Sequence, residues 1–112
     1  LQSAADDCEK CACMNCTATE NACRLGTDPN SNNLCNAVLQ CARKNNCTGT
    51  ACYCGTSLCI PPTGPCLKEI EAAAGTSDLL TIEALQNDQT MPLGKAYFDD
   101  TCRVQQCQST CR

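Results

Sequence analysis

The chain has 112 residues, of which fifteen are cysteine, and its formal net charge is −4. Its only aromatic residues are Tyr53, Tyr97 and Phe98, so burial of apolar surface alone would leave a domain of this size marginally stable. Basic residues are scattered, which argues against nucleic acid and anionic membrane surfaces as partners, and no apolar run is long enough for a membrane span.

The first predicted element covers residues 3–24. This stretch lacks Gly and Pro, consists of good helix formers and has Asp6 and Asp7 near its start, where negative charge favours a helix N-terminus. We expect a helix here, continuous or broken in its middle. Turn-forming residues follow at positions 26–33 and supply a cap for the next helix.

Residues 34–43 are predicted to form the central buried helix, because their apolar side chains fall on two adjoining stripes at helical spacing. Leu34, Val38 and Leu39 are expected at the centre of the core, nearly inaccessible to solvent. Asn46 is able to end this helix in a left-handed conformation.

A long stapled loop is predicted between Cys41 and Cys66. It contains six cysteines interspersed with Gly49, Gly55, Pro61, Pro62, Gly64 and Pro65. Glycine and proline at this density exclude a long helix or a central strand, so cross-links or a metal must order the loop.

The following section, residues 70–100, contains no cysteine and must fold by ordinary burial. We predict one helix ending at Gly75, a second over residues 77–86, a loop over residues 87–94, and a terminal helix over residues 99–112 that is stapled back onto the body. Four carboxylates are expected to lie at helix ends or exposed faces as solvated charge: Glu69, Glu71, Asp99 and Asp100.

Cysteine at this density is typical of a disulfide framework in an oxidising compartment. At least six intramolecular disulfides are expected, from a set comprising Cys8, Cys11, Cys13, Cys16, Cys23, Cys35, Cys41, Cys47, Cys52, Cys54, Cys59, Cys66, Cys102, Cys107 and Cys111. Since fifteen is odd, one cysteine remains unpaired, either as a buried unreactive thiol or as a link to another chain.

Two alternatives for the cysteines stay open. The spacing of Cys8, Cys11, Cys13 and Cys16 is also used by sites for soft metals, and the same residues contain Cys-x-x-Cys pairs of the kind used in thiol redox chemistry. The chain contains no histidine, which excludes imidazole catalysis and haem attachment through Cys-x-x-Cys-His. We therefore predict a protein that is not an enzyme and holds no cofactor.

The strings Cys52-Tyr-Cys-Gly55, Gly64-Pro-Cys66 and Glu69-Ile-Glu-Ala-Ala-Ala-Gly75 resemble a group of small cysteine-rich proteins exported by bacteria. With the neighbouring cysteines the resemblance covers about two thirds of the chain. It implies an extracytoplasmic location, in the periplasm or at the cell surface, and implies no activity.

The sequence thus predicts a single, mainly α-helical, disulfide-rich domain over residues 1–112, with four to five short helices and the stapled loop. The leading function is a non-catalytic structural or protein-interaction subunit of an extracytoplasmic assembly, with a protein partner or self-assembly. The alternatives are a soft-metal or redox-active cysteine protein and a freely secreted binding or defensive protein. The predicted contact surface consists of Leu79, Leu80, Ile82, Leu85, Met91, Tyr97 and Phe98.

Overall fold

The computed structural model describes residues 7–55, 59 and 61–111, with position 109 described by its backbone only. Within these residues the chain is helical and has no strand, which confirms the predicted fold class. The helices are α1 (Asp7–Asn15), α2 (Thr17–Arg24), α3 (Pro29–Asn45), α4 (Thr50–Cys54), α5 (Leu67–Ala74), α6 (Leu79–Leu85), α7 (Pro92–Gln106) and α8 (Gln108–Cys111). They are more numerous than the predicted four to five, because the first and last predicted helices each break at a disulfide-bonded cysteine and a short helix, α4, forms within the stapled loop.

The first break separates α1 from α2 at Cys16. The backbone of Cys16 (φ −126°, ψ 34°) is not helical, and its sulfur is bonded to Cys102. The predicted helical stretch is therefore broken in its middle, while its first residues, 3–6, lie outside the described part of the chain.

The 17-residue helix α3 is the central element. Asp28 caps its start by accepting a hydrogen bond from the Asn30 backbone amide at 3.0 Å, and Asn46 ends it with a left-handed φ of 51°, as predicted. Val38 and Leu39 are buried. Leu34, expected to be as inaccessible, is only partly buried, because it lies near the helix start beside polar residues such as Asn33.

The cysteine-free section folds as two short helices and the start of a long one. Gly75, with φ 73°, ends α5 as predicted, and the Asp78 side chain caps α6. The expected loop over residues 87–94 is too long by three residues, because α7 begins at Pro92. Proline is well suited to the first helical position, where its missing N–H costs nothing.

Seven disulfides cross-link the described residues, which confirms the expectation of at least six. Three of them join the N-terminal helices to α7 and α8 in antiparallel register: Cys8–Cys111, Cys11–Cys107 and Cys16–Cys102. A fourth, Cys23–Cys35, joins α2 to α3. Three close the stapled loop: Cys41–Cys66, Cys47–Cys52 and Cys54–Cys59. Residues 56–58 and 60 of that loop lie outside the described part.

The main core lies where α3 packs against α5 and α7. Tyr53, Leu39, Ile70 and Ile82 are its largest fully buried apolar side chains. The Tyr53 hydroxyl donates to Glu71 at 2.7 Å, so its polar end is satisfied. A separate cluster of buried sulfurs joins α1 to the end of the chain. Sulfur and aliphatic side chains thus replace the missing aromatic residues.

Candidate functional site

Cys13, on α1, is the single cysteine outside a disulfide, and its side chain is exposed. This excludes the buried unreactive thiol considered for the odd cysteine. Cys13 lies in a groove of about 480 Å³ formed by α1, α2 and the start of α3. The groove is lined by Glu9, Cys13, Thr17, Glu20, Asn21, Arg24, Leu25, Asn32, Asn33 and Asn36.

A set of paired charges forms the floor of this groove. The Arg24 guanidinium donates through one nitrogen to both Glu9 and Glu20, at 3.2 Å in the case of Glu20 Oε1. Glu20 lies four residues before Arg24 on α2, so the two side chains share a helix face. Arg24 therefore holds α1 to α2 beside the groove.

Arg103 of α7 supports the same carboxylates from inside the molecule. It is 2% exposed, and it donates to Glu20 through Nε at 2.6 Å and Nη2 at 3.0 Å. Its Nη1 lies 3.0 Å from Glu9 Oε2. A buried guanidinium is tolerated only when such partners satisfy it, so this arrangement depends on both acidic residues.

Asp99 lies one helical turn before Arg103 and is fully buried. Its Oδ1 accepts a hydrogen bond from the Thr19 hydroxyl at 2.8 Å. Its Oδ2 is 3.9 Å from Arg103 Nε and accepts no hydrogen bond. An ionised carboxylate with one unsatisfied buried oxygen is costly, so the environment favours the protonated acid.

The pKa values of Asp99 and Glu20 are shifted in opposite directions. Burial raises the pKa of Asp99, and its hydrogen bond to the Glu20 carboxylate adds to this, bringing it to about 8. Burial also opposes ionisation of Glu20, but hydrogen bonds from Arg103 and Asp99 outweigh it and lower its pKa to about 2. The two carboxyls therefore share one proton at neutral pH, and Asp99 carries it.

This arrangement is suited to holding helices in place. The carboxylates of Glu9 and Glu20 balance the guanidinium groups of Arg24 and Arg103, so the buried part of the cluster carries little net charge. Burial again opposes ionisation of Glu9, yet the hydrogen bond from Arg24 and the charge of Arg103 keep its pKa below its usual value. What remains available for chemistry in the groove is the exposed Cys13 thiol.

The cysteines of the alternative metal site are not brought together as ligands. Cys8, Cys11 and Cys16 are bonded to Cys111, Cys107 and Cys102 respectively, which leaves Cys13 as the one thiol of the set. The Cys-x-x-Cys pairs are likewise divided among different disulfides. The reason is the antiparallel packing of the terminal helices, which brings the N-terminal sulfurs next to those of the chain end.

The predicted contact residues divide between core and surface. Leu80 is 75% exposed and Tyr97 is 36% exposed. Met91 and Phe98 are partly buried, while Leu79 and Leu85 are partly buried against the main core. Ile82 is fully buried, because it points along the inner face of α6, and it is removed from the contact surface.

The prediction that all four carboxylates are solvated was wrong for Asp99 and Asp100. Both are buried on α7, because α7 continues through them and packs against α2 and α3 instead of beginning there. The buried charge cluster was missed for the same reason. The signal for this cluster in the sequence is two pairs of oppositely charged residues spaced four apart: Glu20 with Arg24, and Asp99 with Arg103.

None of the helices within the described ranges has both the length and the apolar character needed to cross a bilayer. Comparison with protein-family models, with curated proteins and with solved structures found no match for the chain.

Proposed function

We propose that this protein is a non-catalytic structural or interaction subunit of an extracytoplasmic assembly, in the periplasm or at the cell surface. The observation that carries the proposal is the exposed Cys13 thiol, which remains when all fourteen other cysteines are paired within the chain. In an oxidising compartment an exposed thiol tends to form a disulfide. Cys13 is therefore suited to a covalent link with another chain.

The rigidity of the domain supports this role. Its three terminal disulfides close chain segments separated by 103, 96 and 86 residues, and the charge cluster ties α1 and α2 to α7. A rigid module loses little conformational entropy when it docks. The predicted contact surface on α6 and α7 supplies a non-covalent part of the interface through Leu80 and Tyr97.

The test of the covalent link is extraction from the native source with an alkylating reagent present, so that thiols cannot exchange. We expect a covalent complex on a non-reducing gel that dithiothreitol releases and that is lost in a Cys13→Ser variant. The link forms by oxidation of Cys13 and a partner thiol, with a disulfide oxidant of the compartment accepting two electrons and two protons. Met14→Ser, which changes an exposed neighbour, should leave the complex intact.

The non-covalent surface is tested separately in the Cys13→Ser background. Leu80→Glu should reduce co-purification with the partner, whereas Ala72→Glu on the exposed side of α5 should not. Recovery of the wild-type protein as a monomer with an alkylated Cys13 would instead favour the freely secreted binding or defensive protein.

A further inference from the structure

Two disulfides of the stapled loop lie against each other. The Sγ atoms of Cys47 and Cys66 belong to different disulfides and are 4.0 Å apart. The sulfurs of Cys47, Cys52 and Cys66 all lie within 4.8 Å of one another. In thiol–disulfide exchange the thiolate approaches a disulfide sulfur in line with the bond that breaks. These distances place Cys66 Sγ beside the Cys47–Cys52 bond, so the Cys66 side chain has to turn after its bond to Cys41 breaks before it attacks Cys47.

Access from solvent is uneven across the four sulfurs. Cys66 is fully buried and Cys52 is 2% exposed, whereas Cys41 and Cys47 are both partly exposed. Of these two, Cys41 faces an open depression of about 420 Å³ between α3 and the start of α5. The depression gives a thiolate from solvent a route to the Cys41 sulfur.

The charged groups around Cys41 are balanced. Lys44 and Glu69 both line the depression, so its net charge neither attracts nor repels an incoming thiolate. The Asn45 side-chain amide lies 3.5 Å from Cys41 Sγ. On the other side of the bond, Cys66 immediately precedes the first residue of α5, where the positive end of the helix dipole stabilises a departing thiolate.

We propose that these four cysteines form a thiol-exchange site whose substrate class is a protein dithiol. The incoming thiolate bonds to Cys41 and the Cys41–Cys66 bond breaks, with its electron pair leaving on the Cys66 sulfur. The Cys66 thiolate then attacks Cys47, forming a Cys47–Cys66 disulfide and expelling Cys52 as a thiolate, which takes up the proton lost by the incoming thiol. The second thiol of the dithiol, as a thiolate, then attacks the substrate sulfur bonded to Cys41. A cyclic disulfide forms on the substrate, and Cys41 leaves as a thiolate and takes up the proton of the second thiol.

The net result is oxidation of one dithiol and reduction of one protein disulfide, leaving thiols on Cys41 and Cys52. This outcome differs from simple reduction of the accessible bond, which would leave thiols on Cys41 and Cys66. The inference goes beyond the proposed structural role and does not depend on Cys13 or on a partner at α6 and α7.

The test is limited reduction of the folded protein with dithiothreitol, followed by acid quenching, denaturation, alkylation and peptide mapping. Besides Cys13, the first reduced species should carry alkyl groups on Cys41 and Cys52 and retain a Cys47–Cys66 disulfide. Alkylation of Cys41 and Cys66 instead, or a first reduced species with Cys41 still in a disulfide, would overturn the proposal.

Two paired variants provide the controls. Replacing Cys41 and Cys52 together by Ser should yield a protein with a Cys47–Cys66 disulfide, in which only Cys13 reacts with the alkylating reagent; free thiols at Cys47 and Cys66 in the folded variant would contradict the exchange. Replacing Cys47 and Cys52 together by Ser removes the second step, so reduction should now stop with alkylation of Cys41 and Cys66.

Discussion

Asp99 is the residue whose ionisation most affects how α2 and α7 are joined. Its Oδ1 accepts from Thr19, while its Oδ2 accepts no hydrogen bond, and the hydrogen bond between the Asp99 and Glu20 carboxyls requires a proton. Both Glu20 oxygens are already held by guanidinium groups. The folded state therefore requires the proton shared by the two carboxyls, and removing this proton leaves two negative charges side by side.

The stability of the protein should accordingly fall as the pH rises from about 4, the usual pKa of Asp in an unfolded chain, to about 8, its pKa here. In this range the folded state keeps a proton that the unfolded state has lost, so rising pH favours unfolding. Above about pH 8 Asp99 is ionised in both states, so its contribution to the free energy of unfolding no longer changes with pH. Glu20 acts in the opposite sense at lower pH: its contribution is lost as the pH falls from its ordinary value of 4.5 through about 2.

Asp99→Asn should remove most of this decline, because an amide accepts from Thr19 and donates to Glu20 as the protonated acid does. Guanidinium unfolding between pH 5 and pH 9 measures the effect, with Asp7→Asn, at an exposed position, as the matched control. If the wild-type and Asp99→Asn proteins show the same pH dependence, Asp99 does not carry the proton.

At the scale of the helix, Gly94 permits the start of α7 to pack closely against the preceding turn. It lies in the first turn of α7, after Pro92, and is buried. A Cβ atom placed on it would lie 1.9 Å from the Asp88 backbone carbonyl oxygen and 2.8 Å from that of Leu85. The absence of a side chain thus permits the turn after α6 to pack directly against the start of α7.

Gly94→Ala should therefore destabilise the protein, although replacing glycine by alanine within a helix usually stabilises by roughly 0.5–1 kcal/mol. Backbone atoms cannot move aside as a flexible side chain does, so we expect a loss of about 1–3 kcal/mol from overpacking. Lys95→Ala, at the next position of the same helix, serves as the control and should change the unfolding free energy by less than about 0.5 kcal/mol. A stabilised Gly94→Ala protein would show that the two segments are not in contact.

At the scale of the whole molecule, the terminal disulfides restrict the unfolded chain far more than the short ones do. Cys11–Cys107 spans 96 residues, whereas Cys54–Cys59 spans 5. In the chain-entropy model a cross-link contributes about 4.7 kcal/mol for a loop near 100 residues and about 2 kcal/mol for one this short. Each of these two disulfides contacts only a few side chains in the folded state. The difference between their contributions to stability therefore arises mainly in the unfolded state.

Replacing all six terminal cysteines by Ser should consequently lower the unfolding free energy by more than replacing Cys54 and Cys59 together, by at least about 2.7 kcal/mol. All six are replaced because any terminal cross-link left in place still closes almost the same segment. Chemical unfolding under non-reducing conditions, with the other disulfides verified by peptide mapping, measures both variants. An equal loss in the two variants would contradict the chain-entropy account of the terminal cross-links.

A further expectation concerns the centre of the core. Val38→Asp would place a carboxylate where the native side chain is 7% exposed, without a partner for its charge, and should prevent folded protein from accumulating. The partly buried Leu34 is the comparison: Leu34→Asp should be tolerated better. The yield of folded protein and the melting transition of the two variants distinguish them, and normal behaviour of Val38→Asp would place the core elsewhere.

The sequence by itself determined the helical class, the presence of a disulfide framework and several helix ends. These follow from local causes: the apolar periodicity around Val38 and Leu39, the turn residues at Asn46 and Gly75, and the excess of cysteine over large apolar side chains. Only the tertiary structure decided which cysteines pair and which charges are buried. Cys13 remains free because antiparallel packing of the chain ends directs its neighbours on α1 toward α7 and α8, and Asp99 is buried because α7 packs against α2. Both outcomes depend on contacts between residues 80 or more positions apart, and such contacts leave no periodic signal in the sequence.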